Sequence, residues 1–418
     1  MRNVKIFGEV PENFKKFESV KFEPVAQWHF VDNCEHASKI DDDEAPSFTA
    51  QVPLENLEAF QEEMYSINDG EEKVAFEMPL IQLNEGRSTG AGGRFGTRQH
   101  ALNGLGISVD PDAGDDIGIV ILDAGINRDY IKSIAGPGRY GGGWTNQPPA
   151  TSTVGRFVDP HMRAADVHGN MIVRNVLSIA PKATIYDAPI LPPKVYSLPD
   201  FSADVVGALR AIRRVIRNRA GNPRFPQHKH WILVNAWAVA TSFAATGQPR
   251  SYVDNRDNKI NKNVIRLADM DNVDVVFAAG NAGIFQPDPF SGPYDRGHGH
   301  SIWGANGLEE VFTIGAIRTD GISIGKSSQG PSLTSLTTSG KGANQKPDLC
   351  TPSWFGENYD PSILNTGTSA SCGIFAGLLA QVRTATPGTA SAVVKADMIS
   401  GAKGDGEWRA QTGYGVPA

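Results

Sequence analysis

The stretch DDIGIVILDAGI, residues 115–126, decides the fold class, because it has the pattern of a fully buried strand that ends in a tight turn. Continuous apolar runs of this length are typical of parallel sheets that are covered on both faces. The segment HGNMIVRNVLSIAPKATIYDAPIL, residues 168–191, then shows a helical pattern followed by another strand. The order strand, helix, strand predicts a βαβ unit.

The same alternation continues towards the C-terminus. Residues 202–223 place their apolar side chains on one helical face, and a glycine and a proline end the pattern. Three further apolar strands, HWILVNAWAV, VDVVFAAGNAG and EEVFTIGAI, begin at residues 230, 273 and 309. We therefore predict an α/β fold, with a parallel doubly wound sheet and helices on both faces.

A smaller unit precedes this sheet. Residues 1–84 are acidic, and Phe48, Ala50 and Val52 alternate as in a strand before a helical stripe that includes Phe60. This pattern predicts a small α+β module.

Glycine-rich segments separate the predicted elements. Residues 85–104 are dense in glycine and lack periodicity, so we predict an exposed linker there and a main domain over residues 105–418. A second glycine-rich run, GPGRYGGGW at residues 136–144, is also interpreted as a loop.

The composition narrows the function classes. The chain has 418 residues, 40% hydrophobic and 20% charged, with a net charge of −7. These values indicate an ordered globular protein and argue against nucleic acid as a partner. The first residues lack a secretory signal, and no apolar run approaches the roughly 20 residues that span a bilayer. We expect no membrane partner and a cytoplasmic or otherwise intracellular location, or secretion if a leader was trimmed.

The sequence predicts neither a metal site nor a disulfide framework. Histidines in HKH at residues 228–230 and in HGH at residues 298–300 have the spacing of metal ligands, but no acidic motif completes either pair. We interpret both as surface loops. The cysteines are odd in number and widely spaced. They are Cys34, Cys350 and Cys372.

Polar residues at strand ends are the candidate functional residues, because ligands of open α/β sheets gather at the carboxyl ends of the strands. Asp123 closes one apolar strand, Asn281 follows another, and His168 and Ser369 each precede a helix. His161 competes with His168 as a base, but the Gly-Asn pair and the helix that follow His168 favour the latter.

Ser369 lies among small residues, in GTSAS, where a substrate carbonyl can approach closely. A helix that begins there directs free N–H groups and a positive dipole end towards developing negative charge. A serine hydroxyl becomes a good nucleophile when a histidine accepts its proton and a carboxylate orients that histidine. Carboxylate, imidazole and hydroxyl are all present.

The motifs VILDAGI, HGN, AAGNAG and GTSAS resemble those of the subtilisin family of serine peptidases, in that family's order. SSQGP, KPDLCTP and GYGVPA also resemble its segments, so the resemblance covers roughly residues 105–418. It implies a serine endopeptidase that hydrolyses polypeptides through an acyl-enzyme. Ser369 would be the nucleophile, His168 the base, Asp123 its orienting carboxylate and Asn281 an oxyanion donor. No cofactor is required, and calcium is an option without assigned ligands.

The N-terminal module resembles the inhibitory propeptide of that family, through FTAQVPLENLEAFQEEM and the strand-like KVAFEMPLIQ. The resemblance implies an intramolecular inhibitor and folding chaperone whose end lies in the active-site cleft. Processing is expected between Leu80 and Gly92. A permanent inhibitory or docking domain is the alternative.

Departures from the family pattern leave specificity open. Trp237, Ala238 and Val239 stand where the substrate-lining strand usually carries Ser-Leu-Gly, so the indole could narrow or reshape the cleft. Packing within the sheet is the favoured interpretation of Trp237, and it could serve in both ways. Ala370 and Gly373 replace a usual methionine and proline without removing a reacting group. Two rival functions follow: a catalytically silent binding protein, and an enzyme for self-processing or peptide transfer.

Overall fold

The computed structural model describes residues 2–7, 17, 19–24, 26–33, 37–38, 47–57, 59–60, 74–75, 80–82, 95–147, 152–159, 162–191, 198–237, 239–241, 252–283, 301–339 and 344–418. Its strands, in chain order, are β1 (Arg2–Phe7), β2 (Lys21–Pro24), β3 (His29–Asp32), β4 (Ala37–Ser38), β5 (Ser47–Val52), β6 (Val74–Ala75), β7 (Leu80–Gln82), β8 (Ile117–Asp123), β9 (Tyr140–Thr145), β10 (Thr184–Pro189), β11 (His230–Asn235), β12 (Val239–Thr241), β13 (Val273–Ala278), β14 (Phe312–Ile317), β15 (Leu349–Pro352), β16 (Phe355–Gly356) and β17 (Leu364–Asn365).

The main sheet has the order β15-β14-β13-β11-β8-β10-β9-β3-β4. All neighbours from β15 to β9 are parallel. The chain builds outward from β8 in both directions, so the carboxyl end of β8 is a topological switch point, where open α/β sheets bind ligands. The predicted parallel doubly wound sheet is confirmed.

Helices cover both faces of this sheet. They are α1 (Arg98–Leu105), α2 (Arg128–Ala135), α3 (His168–Leu177), α4 (Leu198–Arg217), α5 (Lys259–Ala268), α6 (Gly367–Ala385) and α7 (Ser391–Ser400). Side chains along β8 alternate between two cores: Val120 and Leu122 share one core with α4 and α5. Ile119 and Ile121 share the other core with α3 and α6. This alternation explains why β8 is apolar at every position up to Asp123.

The N-terminal segment forms its own small sheet, in the order β2-β5-β1-β6. The strand predicted from Phe48, Ala50 and Val52 is present as β5. Ala50, Val52 and Phe60 are buried together in a small core.

The same segment also contributes to the main sheet, because β3 pairs antiparallel with β9. Phe30 is 1% exposed, and its ring centroid lies 5.2 Å from that of Trp144. Trp28 packs so closely on α4 that a Cβ added to Gly207 would lie 2.7 Å from the indole Cδ1. Residues 28–32 therefore belong to the core of the main sheet. The domain boundaries 1–84, 85–104 and 105–418 stay a prediction, although β3 lies in the first of these ranges and pairs with a strand of the third.

The structure corrects both glycine-rich interpretations. Helix α1 begins at Arg98, within the predicted linker, and buries Ala101 and Leu105. Two apolar residues one turn apart give too little periodicity to reveal a helix among so many glycines. Residues 85–94 of that linker lie outside the described residues. The run at 136–144 contains most of β9, where a Cβ on Gly142 would lie 2.2 Å from the carbonyl oxygen of Val31. Glycine permits this close approach between strands.

The surface interpretation of HKH is also wrong. His230 is 1% exposed, and its Nε2 lies 2.9 Å from Asp274 Oδ2. His228 Nε2 lies 2.7 Å from the Tyr186 hydroxyl, and burial lowers the pKa of His228 to about 4. The HGH pair lies outside the described residues. Sequence cannot distinguish a loop histidine from one that is hydrogen-bonded to a side chain on a neighbouring strand.

Among the described helices, none is both long and apolar enough to cross a membrane. Within the same residues, His, Cys, Asp and Glu side chains form no group of three or more that could hold a metal ion. Calcium stays an option without assigned ligands, and the intracellular location stays a prediction.

Candidate active site

The switch point at the end of β8 carries a carboxylate and an imidazole in contact. Asp123 is 1% exposed, and its Oδ2 lies 2.8 Å from His168 Nδ1. Its Oδ1 accepts a hydrogen bond from the backbone N–H of Ala124 at 2.7 Å. With a proton on Nδ1 that is donated to Asp123, the imidazole presents Nε2 as a base. The competing His161 lies outside the described residues.

The HGN motif fits helix α3 closely against the turn that follows Asp123. A Cβ on Gly169 would lie 2.5 Å from the carbonyl oxygen of Gly125, so any larger residue would push the helix away. Asn170 Oδ1 accepts a hydrogen bond from the backbone N–H of Asn127 at 2.9 Å. These two residues hold His168, the first residue of α3, at a fixed place beside β8.

Ser369 lies in the first turn of α6 and is 4% exposed. Its Oγ donates a hydrogen bond to the carbonyl oxygen of Ala236 at 3.3 Å. Gly367, at the start of the helix, has a φ of 70°, which favours glycine. The serine therefore stands at a helix N-terminus, where the free N–H groups of the first turn stabilise negative charge.

Asn281 contacts the residue that precedes Ser369. Its Oδ1 accepts hydrogen bonds from Thr368, from the backbone N–H at 3.0 Å and from Oγ1 at 3.3 Å. The Thr368 hydroxyl in turn accepts from the backbone N–H of Gly280 at 3.0 Å. These contacts fix the orientation of the Asn281 amide. Its Nδ2 group is then the donor that can bind an oxyanion. A Cβ on Gly367 would lie 3.2 Å from Nδ2.

Residues 163–415 match the model of the subtilase family, which is a family of peptidases. The chain belongs to the subtilase family. It is a serine-type peptidase, and its substrates are polypeptides. The matched range contains His168, Asn281 and Ser369, whereas Asp123 precedes it and reaches the site through the carboxyl end of β8.

Comparison with solved structures finds matches of low sequence identity, with TM-scores below 0.5. MycP1 from Mycobacterium smegmatis is 17% identical, over 82% of this subtilase and 87% of its own chain, with a TM-score of 0.47. The S41 psychrophilic protease is 16% identical, over 77% of this subtilase and 98% of its own chain, with a TM-score of 0.48. No curated protein sequence matches this subtilase.

The residues predicted to line the substrate have different surroundings. Trp237 is 5% exposed, its Nε1 donates to Asn235 Oδ1 at 3.2 Å, and its ring centroid lies 5.4 Å from that of Phe277. The indole thus packs in the core of the sheet, and its effect on the cleft stays a prediction. Val239 begins β12, and Ala238 lies outside the described residues. Substrate contacts of this segment stay a prediction.

A further buried carboxyl group, which the sequence motifs do not single out, lies near Asp123. Asp187 lies on β10, next to β8, and is 0% exposed. Burial raises its pKa to about 7, and the negative charge of Asp123 acts in the same direction. The signal in the sequence was an aspartate inside the otherwise apolar strand TIYDAP.

Proposed function

We propose that this subtilase is an endopeptidase in which Asp123, His168 and Ser369 form a catalytic triad and Asn281 donates to the oxyanion. The observation that supports this most directly is the 2.8 Å contact between Asp123 Oδ2 and His168 Nδ1. The position of Ser369 in the first turn of a buried helix supports it further.

In the proposed reaction, Ser369 Oγ attacks the scissile carbonyl carbon while His168 Nε2 accepts the hydroxyl proton. Asp123 stabilises the imidazolium through Nδ1. The carbonyl oxygen becomes an oxyanion, to which Asn281 Nδ2 and the backbone N–H of Ser369 donate. His168 then protonates the amine as the C–N bond breaks, which leaves an acyl-enzyme. Water, deprotonated by His168, hydrolyses that ester and regenerates the serine.

A fluorophosphonate probe tests the nucleophile. We expect wild-type protein to be labelled and Ser369→Ala to remain unlabelled. Ser371→Ala is the matched control, because Ser371 lies on the same helix, is 0% exposed and donates to the carbonyl oxygen of Thr351. Its labelling should equal that of wild type. A wild-type protein that is folded yet neither labelled nor active on casein would instead favour the silent binding protein.

The N-terminal segment favours self-processing as a second function. Strand β7 pairs antiparallel with β12, with Gln82 opposite Val239 and Leu80 opposite Thr241. The β12 strand directly follows Trp237, in the segment predicted to line the substrate. We infer that β7 occupies the edge to which an extended substrate would add as a strand, so this segment acts as an intramolecular inhibitor. Cleavage would then fall just beyond it, before Gly92.

Intact mass measured over time tests this inference. We expect wild-type protein to lose mass at one position between Leu80 and Gly92, and Ser369→Ala to stay intact. Adding a trace of active protein to Ser369→Ala separates cleavage within one chain from cleavage between chains. Product masses that include an added amine nucleophile would indicate peptide transfer rather than hydrolysis. Equal cleavage of the Ser369→Ala protein incubated alone would refute self-processing.

A further inference from the structure

We propose that Glu357 is a positioning residue, which fixes the helix that carries His168 relative to the segment that leads to Ser369. The inference rests on the proposed function, because it concerns the same two residues. Glu357 directly follows β16, and its described hydrogen bonds come from Arg98, Arg174 and Asn365.

The Glu357 carboxylate is buried among three donor side chains, and its side chain is 3% exposed. Oε2 accepts from Arg98 Nε at 2.9 Å, and Oε1 accepts from Asn365 Nδ2 at 2.8 Å. Oε1 also forms short contacts with Arg98 Nη2 and Arg174 Nε. One carboxylate therefore joins residues from α1, α3 and β17.

Two of these partners belong to the segments that carry the reacting groups. Arg174 lies on α3, the helix that begins with His168, and also donates to the Tyr130 hydroxyl at 2.9 Å. Asn365 lies on β17, which leads directly into the turn before Ser369. Arg174 Nη2 donates to Asn365 Oδ1 at 3.2 Å, so the two segments are bound to each other as well as to Glu357.

The charge balance of this cluster makes Glu357 its central member. Burial acts to raise the pKa of Glu357, but Arg98 and Arg174 outweigh it and hold the pKa below its ordinary value. The two guanidinium groups share this single carboxylate within the described contacts of the cluster. Without that charge they repel each other in a buried place, which pushes α3 away from α1, and α3 loses its ionic contact with the paired strands β16 and β17.

A displacement of that kind affects catalysis more than binding. The nucleophile and the base must be held at the correct distance and orientation, and a misplacement of about 1 Å can lower the rate about 10²-fold. The substrate strand β12 is not part of the cluster, so substrate affinity should change little. The family match begins at residue 163. Arg98 lies before it, so one of the two arginines that hold Glu357 comes from a part of the chain outside the match.

The test compares Glu357→Gln with Asp274→Asn. Asp274 is a matched control, since it is a buried carboxylate that binds Arg383 Nε at 2.5 Å and Nη2 at 2.6 Å. Arg383 lies on α6, the helix of Ser369, but at its opposite end. We expect both variants to lower the urea midpoint. Only Glu357→Gln should lower kcat on a peptide substrate, by about 10- to 100-fold, with KM within about twofold.

A second measurement does not depend on activity. The proton shared by His168 Nδ1 and Asp123 should give a downfield NMR resonance, which we expect to shift or broaden in Glu357→Gln and to persist in Asp274→Asn. If Glu357→Gln does not fold, Arg98→Lys keeps the charge, loses the bidentate geometry and should show the same changes to a smaller extent. Wild-type kcat and an unchanged resonance in the variant would overturn the inference. If wild-type protein has no peptidase activity, the proposed function fails, and the resonance alone decides the role of Glu357.

Discussion

Replacing Asp187 by asparagine will change how the folding stability of this subtilase depends on pH. The carboxyl group is fully buried, and Oδ2 accepts a hydrogen bond from the backbone N–H of Gly155 at 2.8 Å. Oδ1 is buried without a well-formed hydrogen bond. Burial raises the pKa of Asp187 to about 7, although the N–H groups of Gly155 and Ile126 act to lower it.

The sign of the effect follows from the proton that the folded chain retains. Between the ordinary pKa of 3.8 and about 7, folded Asp187 is protonated while the unfolded chain has released this proton. The stabilisation is therefore complete below pH 4 and is lost as the pH rises through about 7. At 1.36 kcal/mol for each unit of pKa, the full effect is roughly 4 kcal/mol, of which about 2.6 kcal/mol falls between pH 5 and pH 8.

Urea unfolding from pH 5 to pH 8 measures the stabilisation by Asp187. Both proteins carry Ser369→Ala, which prevents self-digestion. The free energy of unfolding of wild-type protein minus that of Asp187→Asn should fall by roughly 2.6 kcal/mol over this range. Asp129→Asn is the control, because it makes the same chemical change at a side chain that is 78% exposed. Its difference from wild type should stay constant. A constant difference for Asp187→Asn as well would refute the raised pKa.

Three further predictions follow from single contacts. Asn281→Ala should lower kcat by about 10²- to 10³-fold with little change in KM; a kcat close to that of wild type in steady-state kinetics would exclude Asn281 as the oxyanion donor. Gly367→Ala should lower kcat as well, because its φ of 70° disfavours a side chain and the new Cβ would lie 3.2 Å from Asn281 Nδ2. An active Gly367→Ala protein would contradict this. Phe30→Ala should lower the free energy of unfolding by about 3–5 kcal/mol in urea titrations, and a loss below about 1 kcal/mol would show that β3 is dispensable.

The parts of the fold that sequence could predict are those with a local signature. An apolar run long enough for a buried strand identifies β8, and the residue that closes it is a functional candidate for the same reason. Asp123 and Asn281 could be named because each follows an apolar strand, and His168 and Ser369 because each precedes a helix; their roles come from the resemblance to the subtilisin family. Their contacts follow from the order of strands in the sheet.

Long-range pairing explains what sequence could not predict. The four residues of β3 have no property that selects β9 rather than a strand of the N-terminal sheet, and the glycines of β9 conceal its extended conformation. The position of Trp237 beside β11 can be predicted from the sequence, but the direction of its side chain depends on packing against Phe277 from the neighbouring strand. For Glu357 the signal was indirect: Arg174 is a charged residue in the apolar helix HGNMIVRNVL, and a buried arginine requires an anionic partner.

The pairing of β3 with β9 also determines when the main sheet can be completed during synthesis of the chain. His29 leaves the ribosome long before its partner Thr145, with more than 100 residues between them. During that interval Phe30 and Trp28 have no core to enter, whereas the small sheet of β1, β2 and β5 needs only neighbouring chain. A nascent chain thus exposes an apolar, aggregation-prone segment for several seconds or more, at typical translation rates of about 5–20 residues per second. Chaperone binding or slower translation over this interval would act on that segment first.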